Sequence, residues 1–218
     1  DDPKTTVAGH GTFIAGLIAM LAPDARIMPV RTFPDNGVTD SFTVAAAVKY
    51  AADHGAKVIN LSLGSSQKSD LLLQAIDDAR ARGIVVVAAV GNDGTEAAPQ
   101  FPSTMDQVLA VAAIDLDSHR ARLSNFGAHV DVCAPGSNIV GPFPVGQLGD
   151  YARWSGTSFA APLAAAEAAL ILSADPDNPD PQGAVQSTAD NIDASNPGLS
   201  GKLGEGRIDP LAALKALN

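Results

Sequence analysis

Three polar residues stand in settings of small residues where acyl-transfer chemistry is feasible: His10 in GHGTFIAG, Asn92 in VVVAAVGNDG and Ser158 in WSGTSFAAP. A histidine can serve as base, a hydroxyl as nucleophile and an amide as oxyanion donor, the set that acyl transfer requires. Each also has an ordinary reading. His10 could open a helix running to about Leu21, Asn92 could be a turn residue before Asp93–Gly94, and Ser158 could cap the alanine-rich segment behind it. Were Ser158 the cap, Pro162 would take the fourth helical position, and its missing N–H would leave the Ser158 carbonyl without a helical partner. That loosens the first turn around a hydroxyl at the positive end of a helix dipole, a place suited to an oxyanion. Local sequence permits a nucleophile without choosing between it and a cap.

Of the other histidines, His54 lies in AADHG, where a helix ends at Gly55 and an imidazole suits the dipole. His119 and His129 sit in polar surroundings and are expected to be solvated. Only His10 has glycine on both sides, leaving room for a substrate to approach. Two tempting motifs fail. GHGTFIAG is not the dinucleotide fingerprint, because Ile14 occupies the third glycine position. GTSFA is close to the nucleophile elbow of α/β-hydrolases, whose histidine follows the serine, whereas all four histidines here precede Ser158.

The elements that must position these residues are legible from periodicity. The apolar runs ARIMPV, KVINLSL and GIVVVAAV read as strands, as does HVDVCAPG, where Cys133 is a small apolar residue. Between them lie stretches of helical period, Val44–Val48–Ala51 and Leu72–Ile76–Ala79. The alternation predicts a three-layer α/β fold with a mainly parallel central sheet flanked by helices, and one domain over residues 1–218. After Asp175, DPDNPDPQG reads as a surface loop ending in Asp180–Pro181, the cap and first position of a short helix. In such sheets ligands gather outside the carboxyl ends of the strands. The net charge of −10 with no basic run would repel nucleic acid. The longest apolar stretches fall short of the roughly 20 residues of a membrane span, so no membrane partner is expected. One cysteine allows no internal disulfide.

In chain order, GHGTFIAG resembles the histidine box of the subtilisin-like serine proteases, INLSLG with AAVGNDG their substrate-strand and oxyanion segments, and GTSFAAP their serine box. The resemblance implies a subtilisin-like fold and a serine endopeptidase with His10 as general base, Ser158 as nucleophile and the Asn92 amide as oxyanion donor. It also implies a substrate bound as an added strand, with Ser62–Leu63–Gly64 on one side and Gly37–Val38–Thr39 on the other, and with Ala89, Val90 and Gly91 as further substrate-binding residues. Backbone pairing of that kind makes little demand on sequence, so broad peptide specificity is the expectation. Secretion is the corresponding expectation for location.

Three departures qualify the resemblance. Phe13 and Leu163 stand where the family often has histidines. The helix after His10 passes to APDARI with almost no loop, where many relatives carry a calcium-binding loop. No cofactor is therefore required, although Asp131 or nearby carbonyls could hold a weak cation. The family's aspartate ends a core strand before Thr–Gly or Ser–Gly, and no such tripeptide occurs here; Asp1 and Asp2 read as surface charge. The expectation is a catalytic domain lacking its N-terminal strand, with that strand supplied by another segment or polypeptide. Besides an endopeptidase, a catalytically silent peptide-binding relative and a non-protease acyl hydrolase fit the same residues.

Overall fold

Strand β2, Val85–Ala89, is apolar and buried at every position, and its side chains divide between two cores by the two-residue alternation of a strand. Val85, Val87 and Ala89 join one core, while Val86 and Ala88 join the other. The computed structural model describes residues 9–34, 37–96, 100–144 and 151–217. Around β2 lie β1 (Val58–Leu61), β3 (Leu109–Ile114) and β4 (Val132–Pro135), forming a parallel sheet in the order β1-β2-β3-β4. The register pairs Val58 with Val85, Val87 with Leu109 and Val111 with Val132.

One face of the sheet is covered by α1 (His10–Leu21) and α4 (Thr157–Ala174), through Phe13, Leu17, Ala160, Ala161 and Ala164. The other is covered by α2 (Ser41–Asp53) and α3 (Asp70–Ala81), whose buried stripes include Val44, Val48 and Ala51, and Leu72, Ile76 and Ala79. These are the stripes their helical period predicts. Asp40 and Ser69 cap the two helices by accepting from Thr43 N and Leu72 N. A hairpin of β5 (Ile139–Pro142) and β6 (Tyr151–Trp154) lies outside the main sheet. The C-terminal part adds α5 (Pro181–Ser187) and α6 (Pro210–Ala216). Each opens on the predicted kind of Asp–Pro pair, with Asp180 accepting from Gly183 N and Asp209 from Leu211 N.

ARIMPV departs from expectation. Residues 26–34 form no strand, and Ile27, Met28 and Val30 are each more than a third exposed. Among the described residues β1 pairs only with β2, so no ladder is available to turn this apolar run into a strand. Strand formation needs a neighbour as well as a pattern.

Helix α4 is apolar all round because it is buried all round, the mark of a central core helix. Its length and composition alone would let it cross a membrane. Within it Glu167 is fully buried, and neither carboxylate oxygen has a hydrogen-bond partner among the described residues. Burial, with a smaller contribution from the Asp209 carboxylate, pushes its pKa from the ordinary 4.5 up to about 8. A folded-state pKa above the unfolded one means that this site's stability is fully present below about 4.5 and is lost as pH rises through about 8. At about 1.4 kcal/mol per pH unit, full ionisation costs at most about 5 kcal/mol. About half of that falls above pH 6, so Glu167→Met is expected to remove a fall in Tm of roughly 5–10 °C between pH 6 and pH 10. Parallel Tm–pH curves for the two proteins in calorimetry would show that Glu167 is not the group responsible.

Candidate active site

The first turn of α4 settles the question posed by Ser158. Gly156 is the N-cap, in extended backbone, and being glycine offers no capping side chain of its own. Ser158 is the second helical residue, half-buried, with its hydroxyl 3.5 Å from the Ser62 carbonyl oxygen. It is not a cap. Pro162 lies inside the helix and cannot donate to the Ser158 carbonyl four residues back. The Ser62 hydroxyl takes that place, donating to Ser158 O at 2.8 Å. In turn it accepts from Asn60 Nδ2 at 2.9 Å. The proline thus ties the start of α4 to the residue that follows β1.

Asn92 follows the carboxyl end of β2, and its amide orientation is determined by chemistry. Thr157 N–H can only donate, so the atom it meets at 2.8 Å is Asn92 Oδ1. The Thr157 hydroxyl donates to the same oxygen at 3.0 Å and accepts from Gly91 N at 3.2 Å. With Oδ1 held on both sides, the two Nδ2 protons are left to face elsewhere. A Cβ on Gly156 would sit 3.8 Å from Asn92 Nδ2, so the amide nitrogen lies close to the N-terminus of α4. The backbone N–H of Ser158 is among the first four of that helix, which have no intrahelical acceptor. The Asn92 amide nitrogen and these backbone N–H groups thus share the N-terminal end of α4, where a helix favours negative charge.

His10 is the first residue of α1, after Gly9 in left-handed backbone with φ 76°. A side chain at Gly9 would also strike the Phe143 ring at 2.6 Å, so glycine is required there twice over. The imidazole packs on Phe159 and Trp154, with centroids 5.5 and 5.9 Å away. Those two residues bracket Ser155–Ser158, so α1 brings the histidine to the turn that carries Ser158. Burial lowers the His10 pKa, which keeps the ring neutral near pH 7. Among the described residues His10 has no hydrogen-bond partner, and Asp1 and Asp2 lie outside those residues.

Leu63, Gly64, Ala89, Gly91, Asn92 and Ser158 line one cleft of about 210 Å³. Val90, expected alongside them, does not: it is fully buried, because its neighbours in the strand already give it to the core behind the sheet. Its carbonyl accepts from Asn125 Nδ2 at 3.0 Å, which holds up the loop carrying Asn92. Gly37, Val38 and Thr39 do not line the cleft; Gly37 has φ 72°, Val38 is exposed, and the Thr39 hydroxyl donates to Thr32 O at 2.6 Å. Sequence reasoning missed Thr157 as the anchor of Asn92 and Ser62 as the partner of the Ser158 carbonyl. Pro162 was the available signal for the second, since it announces an orphaned carbonyl.

The sequence matches the Subtilase family over residues 1–206. The chain belongs to the subtilase family. Thermitase of Thermoactinomyces vulgaris is 40% identical to it over 194 residues, covering 84% of this chain and 68% of the relative. A thermophilic serine proteinase of Bacillus sp. (strain AK1) is 41% identical over 193 residues, covering 84% of this chain and 47% of its own length. The chain thus spans about two thirds of the first relative and about half of the second. Among solved structures, a protease from Pseudoalteromonas arctica PAMC 21717 matches with a TM-score of 0.87 at 31% identity, over 96% of this chain and 71% of that one. A prenylagaramide maturation protease matches at 0.82 and 28% identity, over 98% and 84%. In family and fold this subtilase is a subtilisin-like serine protease, built on the helix-flanked, mainly parallel sheet those structures share.

The departures from the subtilase boxes have structural reasons. Phe13 is fully buried and, like His10, packs on Phe159 and Trp154, with centroids 4.7 and 6.0 Å away. His129 is a correction: it is half-buried, not solvated, with Nε2 buried and without a partner among the described residues, and burial lowers its pKa. His119 is exposed beside Asp115 at 3.6 Å. His54 closes α2, its Nδ1–H donating to Tyr50 O at 2.8 Å while the ring stacks on Tyr50. Asp131 uses both carboxylate oxygens internally, accepting from Ala110 N at 2.7 Å and Gln186 Nε2 at 2.8 Å.

Proposed function

We propose that this subtilase cleaves peptide bonds within protein or peptide chains through an acyl-enzyme. His10, neutral at working pH, takes the Ser158 hydroxyl proton as the oxygen attacks the carbonyl carbon. The carbonyl oxygen becomes an oxyanion held by Asn92 Nδ2 and the Ser158 N–H. His10 then returns the proton to the departing amine, and water repeats the sequence to free the acyl group. No cofactor is needed for any of these steps. The observation that carries the reading is the Asn92 amide: Thr157 engages its oxygen twice, and its nitrogen lies near the first turn of α4. A merely structural asparagine has no need of free donors there.

Labelling of Ser158 by a fluorophosphonate, together with cleavage of casein, tests the assignment; labelling without casein cleavage would indicate a different acyl hydrolase. Asn92→Ala is expected to lower kcat about 10²–10³-fold with little change in KM, the penalty known for the equivalent amide of subtilisin. A rise in KM at constant kcat would remove the oxyanion role. Because burial depresses the His10 pKa, the acid limb of kcat/KM should fall below the ~6.5 of an ordinary imidazole. A profile flat from pH 5 to pH 9 would exclude a histidine base.

The same reading includes a third group. An extended segment pairing with β1 would supply the carboxylate that fixes the His10 tautomer. Two features support it: β1 is paired on one side only among the described residues, and Asn60 Oδ1 on that strand is buried without a partner.

A further inference from the structure

A second cleft, of about 450 Å³, lies beyond Asn92 and shares Asn92 and Asp93 with the smaller one. Ser158 lines only the smaller cleft, whereas Arg122, Leu123, Ser137 and Ser155 line only the larger. During acyl transfer one half of the substrate stays bonded to Ser158 and the other departs. With the reacting carbonyl at Asn92, the half retained on Ser158 occupies the smaller cleft and the departing half the larger.

Two charged side chains line the larger cleft, and they are not equivalent. The Asp93 carboxylate is engaged, with Oδ2 accepting from Asn125 Nδ2 at 3.1 Å and Gln100 Nε2 at 3.2 Å. The Arg122 guanidinium is exposed and has no hydrogen bond or ion pair among the described residues. Its backbone is held firmly. Gly94 N donates to Leu123 O at 2.8 Å, Arg120 Nη1 donates to Arg122 O at 3.3 Å, and a Cβ on Gly94 would approach Arg122 O to 2.7 Å. Nearby Arg120 is spent differently: its guanidinium donates to Ala121 and Ser124 carbonyls and lies over the Phe126 ring. One guanidinium is therefore used to build the loop, and the next is presented to the cleft on a chain whose net charge is −10.

We propose that Arg122 makes the departing side of the cleft selective for a carboxylate, carried as an Asp or Glu side chain or as the peptide's own C-terminus. This rests on the endopeptidase reading above. A planar guanidinium suits a carboxylate, and the pairing is screened because the site is open to water.

The test uses peptides with a common acyl half and Glu, Gln or Lys at each of the first three departing positions, each made as C-terminal acid and amide. Binding of the departing halves is measured by fluorescence anisotropy, and kcat/KM is measured for the whole peptides. Glu is expected to exceed Lys about fivefold at low salt, an advantage that shrinks at 0.5 M NaCl and reverses in Arg122→Glu. If the acid forms alone prefer the unsubstituted protein, the C-terminal carboxylate is the group recognised. If Arg122→Glu changes neither the Glu-to-Lys ratio nor the acid-to-amide ratio, in binding and turnover alike, the proposal is overturned. Hydrolysis of an acyl nitroanilide by the unsubstituted protein, which involves no departing residue, reports the endopeptidase reading separately. The binding arm decides the role of Arg122 even if that hydrolysis fails.

Discussion

Conversion of Ser158 to alanine is expected to lower kcat for peptide hydrolysis on the order of 10⁶-fold, the loss known for the nucleophile of subtilisin, while leaving the fold intact. The stability side of this expectation is local. Gly156, not Ser158, caps α4, and the hydroxyl makes only a 3.5 Å approach to the Ser62 carbonyl. Alanine keeps the main-chain carbonyl that accepts from the Ser62 hydroxyl at 2.8 Å, so the tie across Pro162 survives. A change of less than about 1 kcal/mol follows, no more than a single helix cap. Turnover of casein and circular dichroism, measured on the same preparation, decide the matter. Loss of helix in step with loss of activity would make Ser158 a structural residue.

Joining an extended segment that ends in Asp-Thr-Gly or Asp-Ser-Gly to the edge of β1 that is unpaired among the described residues is expected to raise casein turnover on the order of 10⁴-fold, the size of the loss when a triad's acid is neutralised. The expectation follows from the surroundings of His10. Its ring is held by Phe159 and Trp154, contacts that orient a plane but cannot choose which nitrogen carries the proton. A carboxylate accepting from Nδ1 makes that choice and stabilises the imidazolium that forms. The same segment would complete the ladder on β1 and give residues 26–34 a sheet to join, which should protect the amides of Val58–Leu61 from exchange. Equal turnover with and without the segment, unaffected by Asp1→Ala with Asp2→Ala, would establish that Ser158 and His10 suffice. Loss of turnover in that double mutant would assign the acid to the terminus.

By itself the sequence determined the parts whose physics is local or periodic. The buried stripes of α2 and α3, the wholly buried β2 and the Asp–Pro opening of α5 follow from spacing and capping, and all are where those rules put them. His10, Asn92 and Ser158 were legible as candidates because small residues surround each of them, and the family boxes supplied their order. Only the tertiary structure decided what depends on a neighbour distant in the chain. ARIMPV has the composition of a strand and forms none, since a strand exists only against a partner. Val90 has the setting of a cleft residue and is core, because the twofold alternation of β2 carries on past its end. Ser158 is not a cap, because Gly156 takes that place, and Ser62, 96 residues away in sequence, satisfies the carbonyl that Pro162 orphans. The orientation of the Asn92 amide is likewise decided by Thr157, on another element, which holds its oxygen. Periodicity records which face of an element is buried, but which hydrogen-bond partner arrives there depends on the packing of elements that are far apart in sequence.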